Sequence, residues 1–163
     1  MKKIESNMLF EYNDENVYCI EDDIFYTKIT SKYGVKVCDF ILLKDNNLIF
    51  IEAKSSIPKN NNDKEEFTLD IKKKFMDSLI LYLGVINDRK NTISRIIHKN
   101  MKNSNLFKKK IKLLLIVNNV EKGNLETIRD YLSIKLRDFI YMFSIENILV
   151  INHEQAKSKG LIK

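Results

Sequence analysis

Asp39 and Glu52 are acids in places where acids are costly. Asp39 is the one acid in a β-branched and aromatic run from Val35 to Leu43, and Glu52 interrupts a second such run from Leu48 to Ala53, followed at once by Lys54. Side chains alternate along a strand, so Glu52 and Lys54 project from the same face. Asp45-Asn46-Asn47 between the runs is turn chemistry, and the pair reads as a β-hairpin. A two-residue turn at Asp45-Asn46 sets Asp39 directly across from Glu52, with Cβ atoms roughly 5 Å apart. A three-residue turn shifts the pairing by one position. Two carboxylates that close in a sheet interior repel and are poorly solvated, so they call for a proton or a cation. Carboxylate oxygens suit a hard ion, Mg²⁺ or Mn²⁺, and His98 and His153 show no zinc-site spacing with the cysteines. A lysine beside such a site can orient an attacking water or neutralise a pentacovalent phosphate, which makes phosphodiester hydrolysis the implied reaction.

The elements that must position these residues follow from periodicity. Val17–Ile20 is a short β-prone segment. Residues 22–33 read as a helix, with Asp22 or Asp23 as its cap, Phe25, Ile29 and Tyr33 on one face and Gly34 at its end; a strand remains an alternative there. Lys59–Glu66 reads as a polar loop. From Phe67 to about Ile86, the positions Phe67, Ile71, Phe75, Leu79 and Tyr82 or Leu83 give the clearest helix in the chain. A weaker helix is expected at 92–102, a buried strand at 112–117, one long helix over 125–143, a strand at 145–151 and a short helix at 153–159. Strands alternating with helices give an α/β class with a central mixed sheet flanked by helices.

The hairpin Val37-Cys38-Asp39-Phe40-Ile41-Leu42 and Ile49-Phe50-Ile51-Glu52-Ala53-Lys54-Ser55-Ser56 resembles that of the PD-(D/E)xK nuclease superfamily, which includes restriction endonucleases and Holliday-junction resolvases. The likeness is close over 35–56 and elsewhere rests on element order. Cys38 stands where the name-giving motif has proline, a position that varies among members. The resemblance implies a restriction-endonuclease-like core, with Asp39 and Glu52 holding the metal, the Ala53 carbonyl as a third ligand and Lys54 as the catalytic lysine. It also implies an acid on the helix before the hairpin, for which Glu21 is the candidate, with Glu11 or Glu15 behind it. A polar residue on the helix after the motif should point back at the site, and Lys74 and Ser78 are the candidates.

Composition bounds the rest. With 163 residues and 44% hydrophobic content, the chain suits one domain over 1–163, with a basic insertion at about 88–112. The net charge of +6 is unevenly spread: residues 1–23 hold seven acids, while residues 89–112 hold nine Lys/Arg and no acid. Arg89, Lys90, Arg95, Lys99, Lys102, Lys108, Lys109 and Lys110, together with Lys74, are the candidates for contacting nucleic-acid phosphates, DNA more readily than RNA, with affinity rather than sequence specificity as the result. Tyr and Phe fall mostly at core spacing and outline no base-stacking platform. Cys19 and Cys38 lie in apolar runs, no secretory leader or membrane span is evident, and a reduced cytoplasmic protein is expected. Cutting both strands of a duplex calls for two active centres, so a homodimer is plausible, although no segment marks an interface. The alternative to a nuclease is an inactive nucleic-acid- or protein-binding module on the same fold.

Overall fold

The computed structural model describes residues 1–120 and 122–163. Its strands are β1 (Lys2–Glu5), β2 (Met8–Glu11), β3 (Val17–Tyr18), β4 (Phe40–Lys44), β5 (Asn47–Lys54), β6 (Lys110–Val117) and β7 (Ile145–Asn152). The helices are α1 (Ile24–Tyr33), α2 (Asn61–Ile86), α3 (Leu125–Lys135), α4 (Arg137–Met142) and α5 (His153–Ser158). β3 to β7 form one five-stranded sheet in sequence order. β4 pairs antiparallel with both β3 and β5, whereas β5–β6 and β6–β7 are parallel, so the sheet is mixed.

Both faces of the sheet are covered, which is why its central strands read as unbroken apolar runs. On one face Leu48 and Phe50 of β5, with Leu113 and Leu115 of β6, pack with Ile71, Phe75, Leu79 and Tyr82 of α2 and with Ile128 and Leu132 of α3. On the other face Ile51 and Ala53 meet Met8 and Phe10 of the β1–β2 hairpin, Ala156 of α5 and Leu161. The alternation expected of β5 is thus realised, and Glu52 falls in phase with Leu48 and Phe50, toward α2.

The β4–β5 loop is the two-residue kind. Asp45 and Asn46 have φ of 49° and 62°, the left-handed pair that matches strand twist in tight hairpins. Phe40 therefore lies across from Ile51, and the same register carried one step further sets Asp39 across from Glu52. Gly34 ends α1 in the left-handed conformation, at φ 60°.

Three expectations are corrected and one element is added. The polar stretch 59–66 is mostly the start of α2, because Asn60 accepts a hydrogen bond from the Asp63 backbone N–H and caps a solvated first turn. Residues 92–102 form turns rather than a helix: apolar positions suggested a periodicity, but Tyr82 fixes the Met101 carbonyl in a non-helical path with a 2.5 Å hydrogen bond. The long helix over 125–143 is broken at Leu136, buried where the chain passes from α3 to α4. The β1–β2 hairpin is new. Its turn, Ser6-Asn7, has the same left-handed pair, φ 51° and 62°.

Candidate active site

The C-terminal end of β5 gathers the charged groups. Glu52 is 0% exposed and Asp39 is 8% exposed. Asp39, in the bend before β4, turns its Oδ2 to accept a 2.7 Å hydrogen bond from the Ala53 backbone N–H. Glu52 Oε1 takes Lys74 Nζ at 2.6 Å and Lys54 Nζ at 3.1 Å. Its Oε2 is buried and has no hydrogen-bond partner among the described residues. A buried carboxylate oxygen left in that state costs free energy and is a natural place for a proton or a metal ion.

α2 supports this arrangement with a polar stripe of one-turn spacing. Asp70 pairs with Lys54 at 3.5 Å and with Lys36 at 2.5 Å. One turn on, Lys74 holds Glu52, and a further turn on, Ser78 Oγ accepts from the Cys38 backbone N–H at 2.8 Å. The stripe lies beside the apolar line Ile71, Phe75 and Leu79, so burying one positions the other. Lys74 and Ser78 both point back at the hairpin, as expected. Lys74 is thereby a partner of Glu52, with its side chain 20% exposed, and is not a free phosphate contact. Asp70 was not anticipated, although its spacing from Lys74 was the available signal.

A further acid comes from the unanticipated hairpin. Carboxylate oxygens of Glu5, Glu21 and Asp39 lie within 4.8 Å of one another. Glu21 is therefore brought to the site, from a 3-10 turn just ahead of α1 rather than from the helix itself. Lys3 Nζ sits among these acids, 2.5 Å from Glu21 and 3.2 Å from Glu5. Ser6 Oγ donates to the Ala53 carbonyl at 3.0 Å, and Asn118 Nδ2 donates to the Ser6 carbonyl at 3.1 Å, which pins the hairpin tip against the end of β5. Glu11 and Glu15 are exposed and lie outside the cluster, since β2 runs away from it.

Burial governs the titration of the site. It pushes Asp39 up to about 7, with the Glu52 charge adding to it and the Ala53 N–H and Lys74 opposing. Burial also pushes Glu52 above the usual carboxylate range, although Lys74 and Lys54 oppose it. For Lys74 burial acts downward and is overcome by Glu52, so its ammonium holds its proton more tightly than in water. Asp70 moves the other way: burial is outweighed by Lys36 and Lys54, and its carboxyl is held low. Asp39 and Glu52 thus form an undersolvated carboxyl pair whose charged forms are disfavoured, while Asp70 is a settled ion-pair partner.

The basic segment is dispersed by the fold. Lys110 pairs with Asn47 and Leu115 with Glu52, which puts Lys110 about 17 Å along the sheet from the carboxylates at about 3.3 Å per residue. Lys110 is held by Glu146 at 2.8 Å, Lys109 bonds Asn46, and Lys102 pairs with Asp88 at 2.6 Å. Lys108 and Lys99 are exposed, and Lys108 adjoins Lys109 and Lys110 at that far end. Lys90 and Arg95 instead face α1 across a cleft, and Arg89 lies next to it in the chain. Sequence contiguity suggested one surface, but the turns at 90–109 carry the two halves apart.

Comparison with protein-family models, with curated proteins and with solved structures found no match to this chain. No helix among the described residues is long and apolar enough to cross a membrane.

Proposed function

We propose that the chain is a small metal-dependent nuclease of the PD-(D/E)xK kind on a restriction-endonuclease-like core, hydrolysing phosphodiester bonds, DNA before RNA. The observation that carries this reading is the buried Glu52 carboxylate, held through one oxygen by two ammonium groups with its other oxygen unpartnered, in register with an Asp39 that burial and Glu52 push up to about 7. Asp39 and Glu52 would hold Mg²⁺ or Mn²⁺, with Glu21 and Glu5 within reach of Asp39. The donor set is all carboxylate oxygen, which suits a hard divalent ion. When bound, such an ion supplies Lewis-acid stabilisation of phosphoryl charge and lowers the pKa of a coordinated water. Lys54, tied to both Glu52 and Asp70, keeps an ammonium beside the site for the nucleophile or the transition state. Hydrolysis adds water across one P–O bond and yields a phosphate monoester and a free hydroxyl.

Two observations favour the second reading, a binding module without catalysis. Lys3 already pairs with both Glu5 and Glu21, and the Ala53 carbonyl, the expected third ligand, already accepts from Ser6. Calorimetry with Mn²⁺ and cleavage assays on single-stranded, duplex and branched DNA and on RNA separate the two. The nuclease reading expects metal binding and cleavage that vanish in Glu52→Gln and Lys54→Ala. Neither metal binding nor cleavage of any substrate would leave the binding module.

A further inference from the structure

Away from the carboxylates, α1 and residues 90–95 enclose a cleft of about 700 Å³. That volume lies in the range of small-molecule sites, about 300–1,000 Å³, large enough for one or two nucleotides and too small for a duplex. Lys28 and Lys32, one helical turn apart, form one wall, and Lys90 and Arg95 face them. All four are exposed. Lys36, Lys102 and Lys135 elsewhere on the surface each hold a carboxylate, whereas none of these four does among the described residues. Four like charges converge here although their repulsion opposes it, an arrangement that an anionic ligand would relieve.

The lining between the cations is apolar. Ile24, Tyr33 and Ile93 are 60%, 65% and 53% exposed and all line the cleft. Tyr33 was expected on one helix face with Phe25 and Ile29, but it falls at the last residue of α1 and opens to solvent, with Lys32 Nζ 5.2 Å from its ring centroid. Asp23 lines the cleft too and is 1% exposed. Its Oδ2 accepts from Tyr18 Oη at 3.0 Å and from Ser94 Oγ, and its Oδ1 is buried without a partner among the described residues. The walls are fixed in place: Ser94 ties the loop to Asp23, and Gly84 of α2 lets Thr92 approach so closely that an added Cβ would lie 2.7 Å from Thr92 Oγ1.

We infer that this cleft is a site for unpaired nucleotides, with phosphates on Lys28, Lys32, Lys90 and Arg95, the base against Ile24, Tyr33 and Ile93, and Asp23 Oδ1 accepting from a base or sugar donor. An aromatic ring and aliphatic side chains interleaved with cations match the chemistry that single-stranded nucleic acid and free nucleotides share, a base with a π-face and an anionic phosphate. The site goes beyond the nuclease reading and does not depend on it, because none of its residues belongs to the carboxylate cluster.

The test is binding of 5′-phosphorylated dT4 and of dATP by calorimetry in EDTA, which removes divalent metal from the measurement. Saturable binding of either probe is expected, weakened tenfold or more in Lys28→Gln/Arg95→Gln and changed less than twofold in Lys108→Gln/Lys109→Gln and in Glu52→Gln. For dT4, the slope of log affinity against log salt should fall by about 1.4 in the cleft variant, at roughly 0.7 per phosphate contact on a single strand. Binding of dT4 alone identifies a strand as the ligand, and binding of dATP alone identifies a free nucleotide; either supports the site. No binding of either probe, or equal loss in the cleft and Lys108/Lys109 variants, overturns it. Because Glu52→Gln leaves the cleft intact, failure of the metal site and failure of this one are read separately.

Discussion

The carboxylate end of the sheet and the cleft beside α1 concentrate charge in opposite ways. At the sheet end, a buried acid and the charges around it answer one another: Glu52 holds the half-buried Lys54 and Lys74, and half-buried Asp70 holds Lys54 and the exposed Lys36. In the cleft, cations are exposed and paired with no carboxylate among the described residues. Removing one partner of a buried pair strands the other in a poor solvent, whereas removing an exposed charge changes the fold little and the affinity for an anion a great deal. The first region is built for position and the second for attraction.

The sharpest break of that contrast is Glu52→Gln. It is isosteric and should fold, yet it should lose Mn²⁺ affinity by at least about a hundredfold in calorimetry, with cleavage lost in parallel. Next is Lys74→Met, which leaves Glu52 with Lys54 alone. A loss of about 2 to 3 kcal/mol is expected in urea denaturation at pH 8, at the low end for a buried pair because the lysine side chain is 20% exposed. The loss should shrink toward pH 4, where Glu52 takes a proton and needs no partner. A loss independent of pH would mean that Lys74 acts only through packing.

Asp39→Asn sharpens the comparison through pH. With a folded pKa of about 7 against 3.8 for the free group, folded Asp39 holds its proton between those values while unfolded Asp39 has released it. The metal-free protein therefore loses stability as pH rises from about 4 through about 7, and the loss levels off above that. Asn carries no such charge, so the variant should gain on the wild type across the same window, by an amount on the order of 4 kcal/mol for a rise from 3.8 to about 7. Parallel stability curves from pH 4 to pH 8 would show Asp39 to be better solvated than its burial indicates. The smallest effect concerns the hairpin tip: Ser6→Ala removes the donor to the Ala53 carbonyl and should cost about 1 kcal/mol in thermal or urea unfolding.

Much of this layout was legible because it is written locally. The β4–β5 hairpin, the place of its turn, the apolar line of α2 and the glycine that ends α1 each depend on neighbours within a few residues. The β1–β2 hairpin escaped notice although Ser6-Asn7 has the turn chemistry of Asp45-Asn46. Lys2-Lys3-Ile4-Glu5 carries one apolar residue, and its exposed and half-exposed pattern gives little alternation to read. The helix expected at 92–102 failed for the converse reason: apolar residues at helical spacing were there, but Met101 and Leu106 are anchors of an irregular segment packed on the core.

The sequence by itself determined that Asp39, Glu52 and Lys54 share one hairpin, with Glu52 and Lys54 on one face, because strand alternation and turn chemistry act locally; the two-residue turn that sets Asp39 across from Glu52 was settled by the structure. The sequence also determined the α/β class, since the order of apolar periods admits little else. Only the tertiary structure decided that Glu5 and Lys3 join the acids, that Asp70 and Lys74 bracket Lys54 and Glu52, and that the basic run splits between a far sheet end and a cleft shared with α1. Those outcomes depend on how elements dozens of residues apart pack across a sheet. Contact between them is set by burial of their apolar faces, and the charged residues are carried wherever that burial places them.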